Sequence, residues 1–476
     1  MLFVDIRHFH YSGCSPIHDV FFVPAIWFVD DCGQQETRVP VTVSNGNLKF
    51  IMAANRSPSS DTLLDGFLAD TWWYGLTKRL SAQAFVDLGE LRKRQGFSAV
   101  QIVVGNPPEV GPENENAASD VGPAWSLNGE ANFAYLELAR DRINILNDLG
   151  MMVIVYGAWG HQIDWLGPEK MSLWWENIVK TLDDCQVVYC LTGEAELWVG
   201  EADLLLPDLS TGEIPGRRKL PFVPSRVFYK TIELLRFFSR LRSRPPATLL
   251  AKRRNDWSYV LEKLYKMTER PLIIHPNYGR TGYQSIGNSE LLSANTVQTG
   301  HIELARELLW QLPYAESRRN PGNKFINLEP WYEGITNRFY GADQMYAYWV
   351  SMLAGATSAC YGAHGIWNVG DGQFLAHWGL QTFAQASALE TPELLGKSHK
   401  MLNSFLLQDN IDIETENSQL VSICRTAQNN DIYYFPEVSR VASVPDGCYW
   451  LPLEGRFVDS LPVEGQVVVI ADQSRN

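Results

Sequence analysis

Eight short apolar runs, each separated from the next by a stretch with helical spacing, constrain this chain more than any other feature of its sequence. They are GFLADTWW (66–73), FSAVQIVVG (97–105), MVIVYGAWG (152–160), QVVYCLTGE (186–194), PLIIHPNY (271–278), NTVQTGH (295–301), KFINLEP (324–330) and TSACYGAHGIW (357–367). Near-continuous apolar runs of this length read as strands buried on both faces, so the pattern predicts a parallel sheet covered by helices. Eight alternations fit a closed (β/α)8 TIM barrel better than an open doubly wound sheet. The first run leads into DTWWYGL, where an open nucleotide-binding sheet often carries a glycine-rich phosphate turn.

Two of the intervening stretches carry clear helix signals. SAQAFVDLGELRKRQ (81–95) opens on a serine able to cap free amides, and its apolar residues recur at helical spacing. NFAYLELARDRINILNDLG (132–150) ends on a glycine suited to the left-handed position that closes a helix. Residues 198–255 interrupt the alternation after the fourth run, with a Pro/Gly-rich first half and a basic, helical second half. Their Arg and Lys read as a solvated helix face in preference to a phosphate-binding patch.

Beyond residue 402 the helical period gives way to LVSICRTA, DIYYFPEV, CYWLPLEG and QVVVIAD, short strands broken by turn residues. The expected organisation is a catalytic barrel over 61–402 with the insertion at 198–255, and a small accessory β-domain over 403–476. An N-terminal β segment, 1–60, is expected to pack on that accessory domain.

A chain of 476 residues has ample core for a domain of barrel size. Its net charge of -14 argues against nucleic acid and anionic membrane surfaces, both of which repel an acidic field. Aromatics reach 12 % with 16 Trp, which suits either a large core or the stacking of flat sugar faces. The start lacks the basic, apolar and small-residue regions of a signal peptide, and seven scattered Cys form neither a disulfide framework nor a CxxC motif. A cytoplasmic location is expected on that basis, or secretion if a leader precedes this sequence. The oligomeric state stays open, a homo-oligomer included.

In a (β/α)8 barrel the reacting groups sit where strands end at the C-terminal face. Here those ends carry Asp70, Trp72 and Trp73, then Glu109, Trp159 and His161, then Glu194 and Glu196. Later ends supply His275 and Asn277, Gln298 and His301, Glu329, Tyr332 and Glu333, and Tyr361, His364 and Trp367. Opposed carboxylates at Glu194 and Glu329 fit the general acid and the nucleophile or base of glycosidic cleavage. Within LEPWYEG, Glu329 ends the strand run and Glu333 falls beyond it, as Glu196 falls beyond Glu194. Trp72, Trp73, Trp159 and Trp367 are candidate stacking rings, and the remaining polar residues candidate ligands for sugar hydroxyls. No GxSxG elbow occurs, and Cys190 and Cys360 fall inside strand runs, where a thiol is inert. His161, His275, His301 and His364 share the predicted face with carboxylates, yet no HxH or HExxH motif is present.

GFLADTWWYGLTKRLS, KRQGFSAVQIVVG, YGAWG, TGEAELW, HPNYGR, QTGH, LEPWYEG and SMLAGATSACYGAHGIWN occur in an order that resembles the apiosidase-like glycoside hydrolases, from about residue 62 to 400. The resemblance implies a retaining (β/α)8 glycosidase with Glu194 as acid/base, Glu329 as nucleophile, and Asp70 and His301 lining the sugar subsite. Three features depart from the family: Glu where members often carry Asp at 194, the 198–255 insertion, and the short C-terminal β-domain. Apiose as the substrate does not follow. The expectation is a glycoside or oligosaccharide substrate and no metal or organic cofactor. Its rivals are a catalytically inactive carbohydrate-binding barrel and a metal-dependent hydrolase.

Overall fold

The computed structural model describes residues 62–126, 128–197, 247–417 and 420–473, with 41–44, 47–50, 223–224, 227 and 231 besides. Most of the N-terminal segment and of the 198–255 insertion therefore lies outside the described residues. Val41–Ser44 and Asn47–Phe50 pair as an antiparallel hairpin, a compact unit of its own.

Each of the eight apolar runs contains a strand. These are β1 (Leu68–Trp72), β2 (Ala99–Val103), β3 (Met152–Tyr156), β4 (Val187–Cys190), β5 (Leu272–Ile273), β6 (Asn295–Gln298), β7 (Phe325–Glu329) and β8 (Ala359–Cys360). Parallel ladders join β1 through β5 in sequence order, and β8 pairs back onto β1. β6 pairs with β7, and a bridge from Ile326 to Ser358 carries the ring on to β8. Between β5 and β6 the link is made by Ser293 N–H donating to the Leu272 carbonyl at 2.7 Å and by the Thr296 hydroxyl on the Ile274 carbonyl. The strands thus come round as a (β/α)8 barrel.

Strand alternation decides what each residue faces. On β1, Thr71 points inward: its hydroxyl donates to the Tyr361 carbonyl at 2.8 Å and accepts from Gln101 of β2 at 2.9 Å. Gln101 also donates across the barrel to the Leu328 carbonyl at 3.0 Å and accepts from the Tyr156 hydroxyl at 2.6 Å. This bonded layer fills the interior beneath the mouth. Asp70 and Trp72, one residue to either side, point outward to the helices.

The helical cover follows its sequence signals. Ser81 accepts from Ala84 N–H and caps α1 (Ala82–Arg94), whose Phe85, Leu88, Gly89 and Arg92 form the buried stripe. At the end of α2 (Phe133–Asp148), Gly150 sits at φ +71°. Its N–H reaches the Asn147 carbonyl at 2.8 Å and Met151 N–H reaches that of Leu146 at 2.9 Å, the paired bonds that close a helix through a left-handed residue. α3 (Ile163–Leu182) precedes β4, and α4 (Ala247–Tyr265) begins inside the stretch read as an insertion. Trp257, Val260, Leu261 and Leu264 are buried, while Arg253 pairs with Asp164 of α3 at 2.6 Å. That arginine, at least, is part of the helix packing.

α5 (Leu308–Arg319), α6 (Gly341–Leu353) and α7 (Thr391–Leu402) complete the shell. A separate antiparallel sheet follows, built from β9 (Leu407–Asn417), β10 (Leu420–Ala427), β11 (Asn430–Phe435), β12 (Cys448–Leu451), β13 (Arg456–Val458) and β14 (Val467–Asp472) in the order β9-β10-β11-β14-β12-β13. It packs on α6 and α7 through Tyr434 stacked on Trp349 (6.2 Å between centroids) and Trp450 N–H on the Ser398 hydroxyl at 3.3 Å. Among the described residues no helix is long and apolar enough to cross a membrane.

Candidate active site

β7 ends on Glu329, and the ends of β5 and β6 place two histidines against it. His301 Nε2 lies 2.7 Å from Glu329 Oε1, and His275 Nε2 lies 3.3 Å from Oε2. Each imidazole is oriented from behind by a backbone amide: Glu194 N–H donates to His275 Nδ1 at 3.2 Å and Tyr332 N–H to His301 Nδ1 at 3.4 Å. A ring accepting at Nδ1 carries its proton on Nε2 when neutral, so both histidines present N–H to the carboxylate. The His275 contact is close but poorly aligned, since neither its Nε2 nor Glu329 Oε2 completes a hydrogen bond.

Burial pushes the Glu329 carboxyl pKa up, but the His301 hydrogen bond, the His301 and His275 charges and a Gln298 hydrogen bond together hold it below the ordinary 4.5. Burial lowers His275 to about 4 against the upward pull of Glu329, so His275 is neutral near pH 7. Glu329 is therefore an ionised carboxylate in a closed, polar setting, with one oxygen still open to a partner.

Glu194 stands at the mouth after β4. Its Oε2 accepts from Trp159 Nε1 at 2.9 Å and its Oε1 from Gln298 Nε2 at 3.2 Å. The backbone here is left-handed, at φ +39°, a conformation costing a non-glycine residue of order 1–3 kcal/mol. Gly193 makes room for the arrangement, because a Cβ there would lie 2.4 Å from the Trp159 ring. Gln298 bonds Glu194 directly and adds to the influences that lower the pKa of Glu329.

Aromatic rings wall this centre. Trp73 meets Tyr156 (4.7 Å), Trp159 (5.2 Å) and His275 (6.4 Å), and Tyr332 packs on His301 at 4.5 Å. The Tyr332 hydroxyl completes no hydrogen bond, and the negative charges of both Glu329 and Glu194 reach it and add to burial in raising its pKa.

The structure gathers Glu194, Glu329, His275, Gln298, His301, Tyr332, Trp73 and Trp159 of the predicted residues, and it separates the rest. Asp70 is fully buried on the outer face of β1, bonded to Arg92 Nε of α1 at 2.6 Å, Trp72 Nε1 at 2.7 Å and Thr71 N–H at 2.8 Å. Trp72 meets Phe85 of α1 edge-on. Glu333 accepts from the Tyr361 hydroxyl at 2.7 Å, the Thr391 hydroxyl at 2.8 Å and Gly341 N–H at 3.1 Å, so it ties the loop after β7 to α6 and α7. Burial raises its pKa above the usual 4.5. Tyr361 follows its hydroxyl to this outer layer.

His364 and Trp367 pack together (5.6 Å) in the loop after β8, and burial takes His364 down to about 3. His161 packs against Trp165. Asn277 is half-buried, its N–H donating to Glu196 Oε2 at 3.0 Å. Glu196 is thereby engaged in holding the loop after β5. The four histidines do not converge, and among the described residues no group of three or more His, Cys, Asp or Glu is arranged to hold a metal ion. Burial raises the Cys190 and Cys360 thiols far above their usual range. The interior trio of Thr71, Gln101 and Tyr156 was not read from the sequence, because inward polar residues inside a strand run carry no strand-end signal. His377 was missed as well, since it lies in a loop outside every run.

Residues 66–390 match the model of the family described as "Apiosidase-like, catalytic domain". No curated protein matches the sequence. Among solved structures, one described as "Glycoside hydrolase" superposes with a TM-score of 0.60 at 14% identity, covering 86% of this chain and 93% of its own. A glycoside hydrolase family 5 protein from Bacteroides vulgatus gives 0.60 at 14% identity, with 86% and 90% covered. A putative glycoside hydrolase from the same organism gives 0.50 at 11% identity, with 86% and 78% covered. At these identities the superpositions show a shared fold.

Proposed function

This chain belongs to the family of apiosidase-like catalytic domains, and from that premise we propose that it is a glycosidase that cleaves its carbohydrate substrate with retention, Glu329 acting as nucleophile and Glu194 as acid/base. The observation that carries this reading is the meeting at the barrel mouth of Glu329, held by His301 and kept below the ordinary carboxyl pKa, with Glu194, held by Trp159 and Gln298. Double displacement requires the two carboxylates ~5–5.5 Å apart, and an inverting pair stands roughly 6.5–9.5 Å apart to admit a water; retention is the outcome the family resemblance implies.

In the first step Glu329 Oε2, the oxygen without a completed hydrogen bond, attacks the anomeric carbon while Glu194 passes its proton to the departing glycosidic oxygen. The bond to the leaving group breaks as the ester to Glu329 forms. In the second step Glu194 takes a proton from water, the water oxygen attacks the same carbon, and Glu329 leaves as carboxylate. His301 holds Glu329 ionised and aimed between attacks, with His275 Nε2 3.3 Å from its other oxygen. Trp159 and Gln298 fix Glu194. Trp73 and Tyr332 offer ring surface and a hydroxyl donor to the bound sugar, and this reading needs no cofactor.

A panel of aryl glycosides tests the assignment. On a substrate that the wild type cleaves, Glu329→Gln should abolish turnover, and Glu194→Gln should slow poor leaving groups most. The first-formed product should keep the anomeric configuration of the substrate by NMR. Near-normal activity in both variants, or inversion, overturns the assignment.

A further inference from the structure

A second polar cluster lies beside the Glu194/Glu329 centre, on the part of the mouth built by the ends of β1, β2 and β3 and the loop after β8. Glu109, in the loop after β2, has a left-handed backbone at φ +71°. Its Oε2 stands 3.5 Å from His377 Nε2, and its charge also reaches His161. Tyr74, following β1, donates its hydroxyl to the carbonyl of the neighbouring Pro108 and fixes that loop.

His161 is the unusual member. It is only 5% exposed, and neither ring nitrogen has a hydrogen-bond partner. A buried imidazole with both nitrogens unmatched loses the hydrogen bonds each made to water, so ordinary packing does not account for it. Burial lowers its pKa to about 4, leaving a neutral ring with one donor and one acceptor, the complement of a hydroxyl group. Trp165 meets His161 edge-on at 4.9 Å and is 39% exposed, which leaves ring surface open to solvent.

The cluster is tied to the reacting groups. His161 lies on the short turn Gly160–Gln162, directly after the Trp159 that holds Glu194. Gln162 of that turn donates to the Asn106 carbonyl at 2.9 Å, locking the β3 turn onto the loop that carries Glu109.

We propose that Glu109, His161 and His377 form a second sugar subsite next to the Glu194/Glu329 centre, binding a further sugar unit of a disaccharide or longer glycoside through its hydroxyls, with Trp165 as the ring it stacks on. Glu109 accepts hydroxyl protons, His161 both gives and takes one, and the indole covers an apolar sugar face. The enzyme then selects glycosides of two or more sugar units. This inference rests on the glycosidase reading and deepens it.

The test compares 4-nitrophenyl glycosides of monosaccharides with those of the matching disaccharides. The wild type should show the higher kcat/KM on a disaccharide glycoside, and the disaccharide-to-monosaccharide ratio should fall by about tenfold or more in His161→Phe, chiefly through KM. Glu109→Gln keeps the side-chain shape at the left-handed position, should lower the same ratio, and replaces His161→Phe if that variant does not fold. A ratio unchanged in the folded variants overturns the subsite. If no compound of the panel is cleaved, the catalytic reading fails separately, and calorimetric binding of the same disaccharide glycosides decides the subsite. Binding weakened about tenfold by His161→Phe upholds it, and no binding, or binding indifferent to the substitution, overturns it.

Discussion

Two buried carboxylate regions of this barrel differ in what their oxygens are bonded to. In the outer layer, between the sheet and the helices, Asp70 is saturated by Arg92, Trp72 and Thr71, and Glu333 by Tyr361, Thr391 and Gly341. At the mouth, Glu329 Oε2, Gln298 Oε1 and the Tyr332 hydroxyl complete no hydrogen bond. Buried polar groups are ordinarily matched, so atoms left unmatched at the barrel mouth point to where a ligand would complete the bonding. Arg92 Nη2 is an unmatched atom of the outer layer, but it belongs to a guanidinium whose other nitrogens are bonded to Asp70 and Gln95. The unmatched oxygen marks Glu329 among these carboxylates, while Glu194, with both oxygens bonded by Trp159 and Gln298, is set apart by its place at the mouth.

The largest expected effect would break that comparison outright. Glu329→Gln is expected to lower kcat on the order of 10⁴-fold or more, with urea unfolding little changed. Glu333→Ala is expected to do the reverse, keeping kcat within about tenfold while the three donors it orphans cost about 3 kcal/mol of stability. Parallel kinetics and denaturant titrations on the two variants decide it. If Glu333→Ala were the inactive folded protein, the two regions would have to exchange roles.

Asp70→Asn probes the outer layer more deeply. Both side chains of the Asp70–Arg92 pair are fully buried, and removing one charge leaves the other uncompensated, at a cost of about 3–5 kcal/mol. The loss should appear in the unfolding midpoint, while the KM of the folded fraction stays near that of the wild type. A KM raised tenfold with unchanged stability would instead place Asp70 in contact with substrate.

This contrast also explains what the sequence could show. The eight runs announced the barrel because strands buried on both faces leave an apolar signature, and Ser81 and Gly150 announced their helix ends because a cap and a left-handed turn need particular residues. Glu194 and Glu329 were legible as strand-end carboxylates, and the influence of Gln298 on both was not, since two strands brought side by side leave no spacing in the chain. Asp70 and Trp72 looked like mouth residues because strand ends are counted in sequence. Which face they occupy depends on a two-residue alternation whose phase is set by the Thr71–Gln101 bond inside the barrel. His377, outside any periodic run, offered no signal at all.

The smallest effect sharpens how the mouth differs from the outer layer, because it concerns a pKa. Burial alone would raise Glu329, as it does Glu333, and the donors around Glu329 reverse the sign. Its folded pKa lies below the ordinary 4.5, so it contributes stability present above pH 4.5 and lost as pH falls through the folded value. The acidic limb of kcat/KM should therefore lie below pH 4.5 in the wild type. His301→Gln removes the strongest of the lowering influences and leaves burial less opposed, so the limb should move to higher pH. The plateau rate should fall less than in Glu329→Gln, since the carboxylate remains. A pH profile whose acidic limb stays in place would mean that His275 and Gln298 alone keep Glu329 ionised, and that His301 serves to position the sugar or the tyrosine stacked on it.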